Sequence, residues 1–198
     1  MTPERPPDPV RVAVAFARLL ERLDVSYLVA GSLASSVHGE PRATNDIDIV
    51  ADLTPEHVRP LLAALGAEHY VGPDAVRDAV ERGGSFNVIE LATAVKVDVF
   101  VAGDDPFDAE RLSTRQRAMI WTEPPLEVFL DTAEHTVLRK LEWYRRGGEV
   151  SERQWRDVLG VLRVQGGRLD GAQLEAWAER LRVHDLLARA LQEARAAT

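Results

Sequence analysis

Apolar residues first recur at helical spacing between Val10 and Leu23, where Ala13, Phe16, Ala17, Leu20 and Leu23 fall on one face. The Pro-rich residues 1–9 before them predict a loose arm. The pattern then changes. Ser26–Ala30 is a short apolar run that predicts a buried strand, and it leads into Gly31-Ser32 and a short helix over Leu33–Val37. His38-Gly39-Glu40-Pro41 ends that helix. Asp46–Ala51 alternates cleanly and predicts a strand, and Thr54 as N-cap with Pro55 at the first helical position opens a helix to about Leu65. A weaker helix is expected over Asp74–Arg82, closed by Gly83-Gly84. Phe86–Leu91 and Val95–Val101 predict a hairpin about Ala92–Ala94. Asp105-Pro106 starts a short helix, and residues 117–130 supply one or two edge strands.

From Asp131 onward the periodicity is helical only. Asp131 begins D-T-A-E and Ser151 begins S-E-R-Q, both capping-box-like starts, with a third start at Asp170. Gly147-Gly148 and Gly166-Gly167 punctuate the ends, and a last helix is expected over Asp185–Arg195. The reading is therefore α+β: a mixed α/β domain over residues 1–130, then a helical bundle over residues 131–198.

Composition narrows the chemistry. The chain of 198 residues has no cysteine, which excludes disulfides, zinc–thiolate sites and cysteine nucleophiles. No run of eighteen apolar residues is present, so no membrane partner is expected. The first residues carry Pro and acids instead of a basic region followed by an apolar one, so they do not read as a signal peptide, and cytoplasmic residence is the default expectation. The net charge of −8 divides into −10 over residues 1–110, +3 over 111–168 and −1 over the remainder. An acidic chain argues against general nucleic-acid binding, while the basic middle, with Arg139, Lys140, Arg145 and Arg146 on one helix, leaves room for a local polyanion.

The stretch Val29–Asp52 carries the candidate chemistry. A buried strand ends in Gly31-Ser32 where a helix begins, and a helix start offers free N–H groups and a positive dipole end to a phosphate. The alternative is a strand-to-helix turn with Ser32 as cap. Asp46 and Asp48 lie two apart in a strand, so both carboxylates project from one face while Ile47 and Ile49 point to the other. Two such acids repel unless a cation lies between them, and Mg²⁺ favours a few carboxylates with phosphate oxygens and water. The alternative is a solvated face with two charges. Asp98 lies opposite the Val97, Val99 and Val101 face of a later strand, where a shared metal, a Lys or Arg partner, or an edge position would accommodate it; Glu90 is the rival third acid. The histidines show no metal-ligand spacing, and Trp143, Trp155 and Trp177 fit helix packing. No Walker or dinucleotide phosphate loop and no G-x-S-x-G elbow appears.

Gly31-Ser32, thirteen intervening residues and Asp46-Ile47-Asp48, with Asp98 on a later strand, together resemble the polymerase-β-like nucleotidyltransferase superfamily. The surrounding E-P-R-A-T-N-D-I-D is similar to the minimal, toxin-like nucleotidyltransferases of the abortive-infection type. The resemblance implies a nucleotidyltransferase-type mixed sheet flanked by helices, followed by a C-terminal helical bundle. It implies transfer of a nucleoside monophosphate from a nucleoside triphosphate to an acceptor, with Asp46, Asp48 and Asp98 holding Mg²⁺ or Mn²⁺ and Gly31 and Ser32 binding the phosphates. Arg42 and Thr44 would reach the nucleotide, although Arg42 also reads as a loop arginine. In the toxin-like group a helix Lys and a later Asp accompany the acids; Lys140 and Asp157 match in type and order, Lys140 toward the triphosphate and Asp157 positioning it or a substrate hydroxyl, and both also read as charges on amphipathic helices. The implied acceptors are RNA such as tRNA or a protein hydroxyl, with a cognate antitoxin as partner. A small-molecule acceptor such as an antibiotic, and a non-catalytic binding module, are the alternatives.

Overall fold

The computed structural model describes residues 5–196. Of the arm expected over residues 1–9, residues 1–4 lie outside the described residues, and Asp8 is already helical. The chain divides into two compact units: one formed by the residues up to Ala30 together with Thr44–Leu130, the other by Gly31–Ala43 together with the residues from Asp131 on.

The first unit is built on a mixed sheet. Its strands are β1 (Tyr27–Val29), β2 (Asp46–Ala51), β3 (His69–Val71), β4 (Ser85–Glu90), β5 (Lys96–Val101), β6 (Gln116–Trp121) and β7 (Leu126–Leu130), in the order β3-β4-β5-β2-β1-β7-β6. β2 pairs parallel with β5 and β1 parallel with β7, and the other neighbours are antiparallel. Residues 117–130 were expected to give edge strands. β6 is one, but β7 lies inside the sheet, because Leu130 pairs with Val29 and takes the remaining edge of β1. The three-residue β3 carries an exposed Tyr70 and no apolar alternation, so no strand was predicted there.

Alternation on the central strands decides which face is which. Ile47 and Ile49 of β2, Val97 and Val99 of β5, and Phe86 and Val88 of β4 are almost fully buried. Each such side chain contributes about 1.5–3 kcal/mol of burial free energy. Helices α1 (Asp8–Arg22), α3 (Pro55–Leu65) and α4 (Pro73–Arg82) belong to this unit; α1 packs on β1, β2 and β7, and α4 on β4 and β5. The Thr54 start of α3 forms as expected, with the Thr54 N–H donating to His57 Nδ1 at 3.0 Å. On the other face Leu28, Ala30 and Val50 meet Leu112 of α5 (Pro106–Thr114), with Phe100 packed against them. This second face is apolar toward the ends of β2 and β5 and acidic toward their starts.

The second unit is helical: α2 (Gly31–His38), α6 (Ala133–Arg146), α7 (Glu152–Gln165), α8 (Gly171–Arg180) and α9 (His184–Ala196). Ser151 and Asp170 cap α7 and α8 as expected. The cap of α6 is Thr132, not Asp131: the Thr132 hydroxyl accepts from the His135 N–H at 3.2 Å, and the Asp131 carbonyl instead meets His38 Nε2 at 2.6 Å. Helix α2 rests on α6 and α7. It approaches α7 closely at Gly39, where a Cβ would stand 2.6 Å from the Val161 nitrogen, so any other residue would force the two backbones apart.

Candidate active site

In the sheet unit, the parallel register of β2 and β5 sets Asp48 directly beside Asp98 and Asp46 beside Lys96. On the far side of β5, Asn87 of β4 stands opposite Asp98. The three acids therefore share one face of adjacent strands. Lys96 lies among them: its Nζ is 2.7 Å from Asp98 Oδ2 and 3.9 Å from Asp46 Oδ1. The hydrogen bond to Asp98 holds the Lys96 ammonium above its usual range against a smaller opposing effect of burial, and the charges of Asp46 and Asp48 act in the same direction. The Lys partner that was one of three accommodations for Asp98 is thus present, two residues away on the same strand face. Glu90, the rival acid, is committed elsewhere: its carboxylate accepts from the Thr93 N–H and hydroxyl in the β4–β5 turn. Thr44 donates to the Asp46 carbonyl at 3.0 Å and so fixes the start of β2.

The helical unit gathers Ser32, Arg42, Lys140 and Asp157. Gly31 opens α2 at φ +60°, a backbone angle that favours glycine. Arg42 grips Asp157 with two parallel bonds, Nε to Oδ1 and Nη2 to Oδ2, both 2.8 Å. Its Nη2 also donates to Ser32 Oγ at 2.5 Å. Lys140 Nζ donates to Asp157 Oδ2 at 2.8 Å. The Asp157 and Lys140 side chains are only 6% and 10% exposed. Burial pushes the Asp157 carboxyl up, but the Arg42 and Lys140 cations outweigh it and hold it below the usual carboxylate range. Arg42, which also read as a loop arginine, is therefore a bidentate clamp, and Lys140 and Asp157 are a buried pair rather than solvated helix charges.

No family model and no curated protein sequence matches the chain. Solved structures do. The antibiotic-resistance factor ANT(2'')-Ia in solution matches at 12% identity and a TM-score of 0.56, over 97% of this chain and 100% of its own. A nucleotidyltransferase-like antigenic protein from Paracoccidioides brasiliensis matches at 18% identity and 0.55, over 92% and 91%. The lincomycin-bound lincosamide antibiotic adenylyltransferase LnuA matches at 12% identity and 0.51, over 80% and 98%. The fold is that of the nucleotidyltransferases.

A nucleotidyltransferase fold implies a divalent cation. Among the described residues no group of three or more His, Asp or Glu side chains is placed, as it stands, to hold a metal ion. Asp98 and Asp46 instead have an ammonium beside them, that of Lys96. Their donors are all carboxylate oxygens on one strand face, a set that fits a small hard cation completing its shell with phosphate and water. The residues fit the group.

The basic stretch of α6 differs from expectation. Arg139 and Arg146 both donate to Glu142 at 2.6 Å, and Arg145 donates to Glu149 at 3.2 Å and to Asp185 at 2.6 Å. The charges are matched locally instead of forming an open cationic face. Trp143, read as fitting helix packing, is 43% exposed, with Arg146 over its ring. Sequence reasoning missed Lys96 and Asn87 as neighbours of the acids. The period-two spacing of Lys96 and Asp98 was a usable signal for the first; the β4–β5 register that brings Asn87 to Asp98 had none.

Proposed function

We infer that this protein transfers a nucleoside monophosphate from a nucleoside triphosphate to an acceptor hydroxyl. The observation that carries the reading is the in-register row of Asp46, Asp48 and Asp98 on adjacent parallel strands of a nucleotidyltransferase fold. Asp46 and Asp48 would hold Mg²⁺ or Mn²⁺, and Asp98 would complete the set. Held there, a divalent cation would supply charge neutralisation at the reacting phosphate and the leaving oxygen. The acceptor oxygen bonds to the α-phosphorus, the α–β bridging bond breaks, pyrophosphate leaves, and the hydroxyl proton passes to the Asp98 carboxylate. Gly31 and Ser32 hold the β- and γ-phosphates. Because Ser32 Oγ already accepts from Arg42, its own proton is left to donate to a phosphate oxygen. Arg42 and Lys140, both bonded to the Asp157 carboxylate, would offer positive charge to the triphosphate. As in other phosphoryl transfers, these groups contribute position and charge.

Charge also separates the acceptors. The arginines of α6 that would steer a tRNA are paired with acids, which removes the main support for an RNA acceptor. ANT(2'')-Ia in complex with adenylyl-2''-tobramycin and lincomycin-bound LnuA are matches that concern small molecules. A small hydroxylated compound is therefore the first acceptor class, ahead of tRNA or the protein hydroxyl that a toxin with a cognate antitoxin would modify. The test is incubation of the protein, Mg²⁺ and each α-labelled triphosphate with a cell extract separated into small-molecule, RNA and protein fractions. The reading expects label in the small-molecule fraction, absent with Asp48→Asn. Label in RNA or protein overturns the acceptor class, and no label with any triphosphate favours a non-catalytic binding module.

A further inference from the structure

We propose that Lys96 is a built-in counter-ion of the acid row, a side chain that neutralises the carboxylates in the absence of a divalent cation and has to leave them for one to bind. This rests on the metal-holding reading of Asp46, Asp48 and Asp98 and assigns a role to a fourth residue beside them. Three carboxylates on one face of two adjacent strands repel one another, and the register keeps their Cα positions side by side. Lys96 relieves the repulsion from within. It shares the face of Asp98 by the two-residue period, stands beside Asp46 by register, and places its Nζ 2.7 Å from one carboxylate and 3.9 Å from the other.

The type of cation matters. Lysine presents a compact, strongly hydrated charge on a flexible stem, with no fixed hydrogen-bonding plane. At 38% side-chain exposure Lys96 can swing into water at little cost. Arg42, by contrast, is held by two parallel bonds to a carboxylate that is 6% exposed. The acid row is thus closed by a displaceable ion. A divalent cation taking the same oxygens competes with it, so the lysine lowers metal affinity and sets the concentration at which the row loads.

Isothermal titration with Mn²⁺, without nucleotide, of wild type, Lys96→Gln, Lys96→Arg and Asp48→Asn tests this on the full chain. The expectation is that Lys96→Gln binds Mn²⁺ roughly three- to tenfold more tightly than wild type, on the scale of one partly screened charge a few ångströms away. Lys96→Arg should stay near or below wild-type affinity, and Asp48→Asn should lose most binding. Without metal, Lys96→Gln should melt lower than wild type, and saturating Mn²⁺ should close that gap. Binding seen only in Lys96→Gln supports the proposal in its extreme form. Equal or weaker Mn²⁺ binding by Lys96→Gln, with wild type binding normally, overturns it and leaves the metal reading standing. No binding by either protein removes the metal reading and this proposal together.

Discussion

In the sheet unit three carboxylates and one ammonium meet where Asp46 is 52% and Lys96 38% exposed; in the helical unit a single carboxylate, 6% exposed, holds a guanidinium and an ammonium. The first cluster is half-exposed, and its lysine can leave. The second has its partners fixed by four hydrogen bonds, three of them at 2.8 Å. Buried charges tolerate the loss of a partner badly, whereas exposed ones are screened by water. Substitutions in the two clusters should therefore separate: those in the helical one should cost stability as well as any triphosphate contact, and those in the sheet one activity alone.

The largest effect is expected at Asp157. Asp157→Ala leaves Lys140 buried without its carboxylate and should cost about 3 kcal/mol, the lower end for a broken buried pair because Arg42 keeps some contact with water. Denaturant unfolding checks this; a loss under 1 kcal/mol would erase the contrast. The same residue predicts an acid limb. Its carboxyl is held below the ordinary range, so its contribution is complete at pH above that range and is lost as pH falls through the lowered value. A pH series of unfolding should show a shallower acid limb for Asp157→Asn than for wild type.

Next come the acids of the sheet. Asp46→Asn and Asp48→Asn should each reduce Mg²⁺-dependent turnover by roughly a hundredfold or more while the melting temperature holds or rises slightly, since each would remove a proposed metal ligand and relieve like-charge repulsion. A mutant that lost fold and activity together would place this cluster with the other. Asp98→Asn should cost on the order of tenfold or more in steady-state turnover, and Glu90→Gln only a few-fold at most, because Glu90 serves the Thr93 turn. The reverse order would make Glu90 the third ligand. The smallest effect is expected from reversing Arg145 and Arg146 to Glu. Arg145 pairs with the exposed Asp185, and the buried Glu142 that Arg146 also meets keeps Arg139 as a partner, so stability should change by about 2 kcal/mol or less, and acceptor labelling should keep its salt dependence.

How far the sequence carried differs between the clusters for a physical reason. The acid row follows from local alternation: Asp46, Asp48 and Asp98 declare their faces within their own strands, and β2 spans Asp46–Ala51 as predicted. That Asp98 lies beside Asp48 depends on a parallel pairing across fifty residues, which alternation does not encode. The helical cluster is less legible still. Arg42 and Asp157 are 115 positions apart, and residues 31–43 follow β1 in sequence yet join the C-terminal helices. Local pattern could offer Lys140 and Asp157 only as charges on two helices; their pairing with each other and with Arg42 is a product of tertiary folding.

The most direct test of the central claim is the metal dependence of triphosphate binding. A non-hydrolysable triphosphate analogue is titrated into wild type and Asp48→Asn, each with Mn²⁺ and with a chelator. If the acid row holds a cation that in turn holds the triphosphate, Mn²⁺ should tighten binding to wild type at least about tenfold and leave Asp48→Asn unchanged. Equal affinity for wild type with and without Mn²⁺ would contradict the assignment of Asp46, Asp48 and Asp98 to a metal.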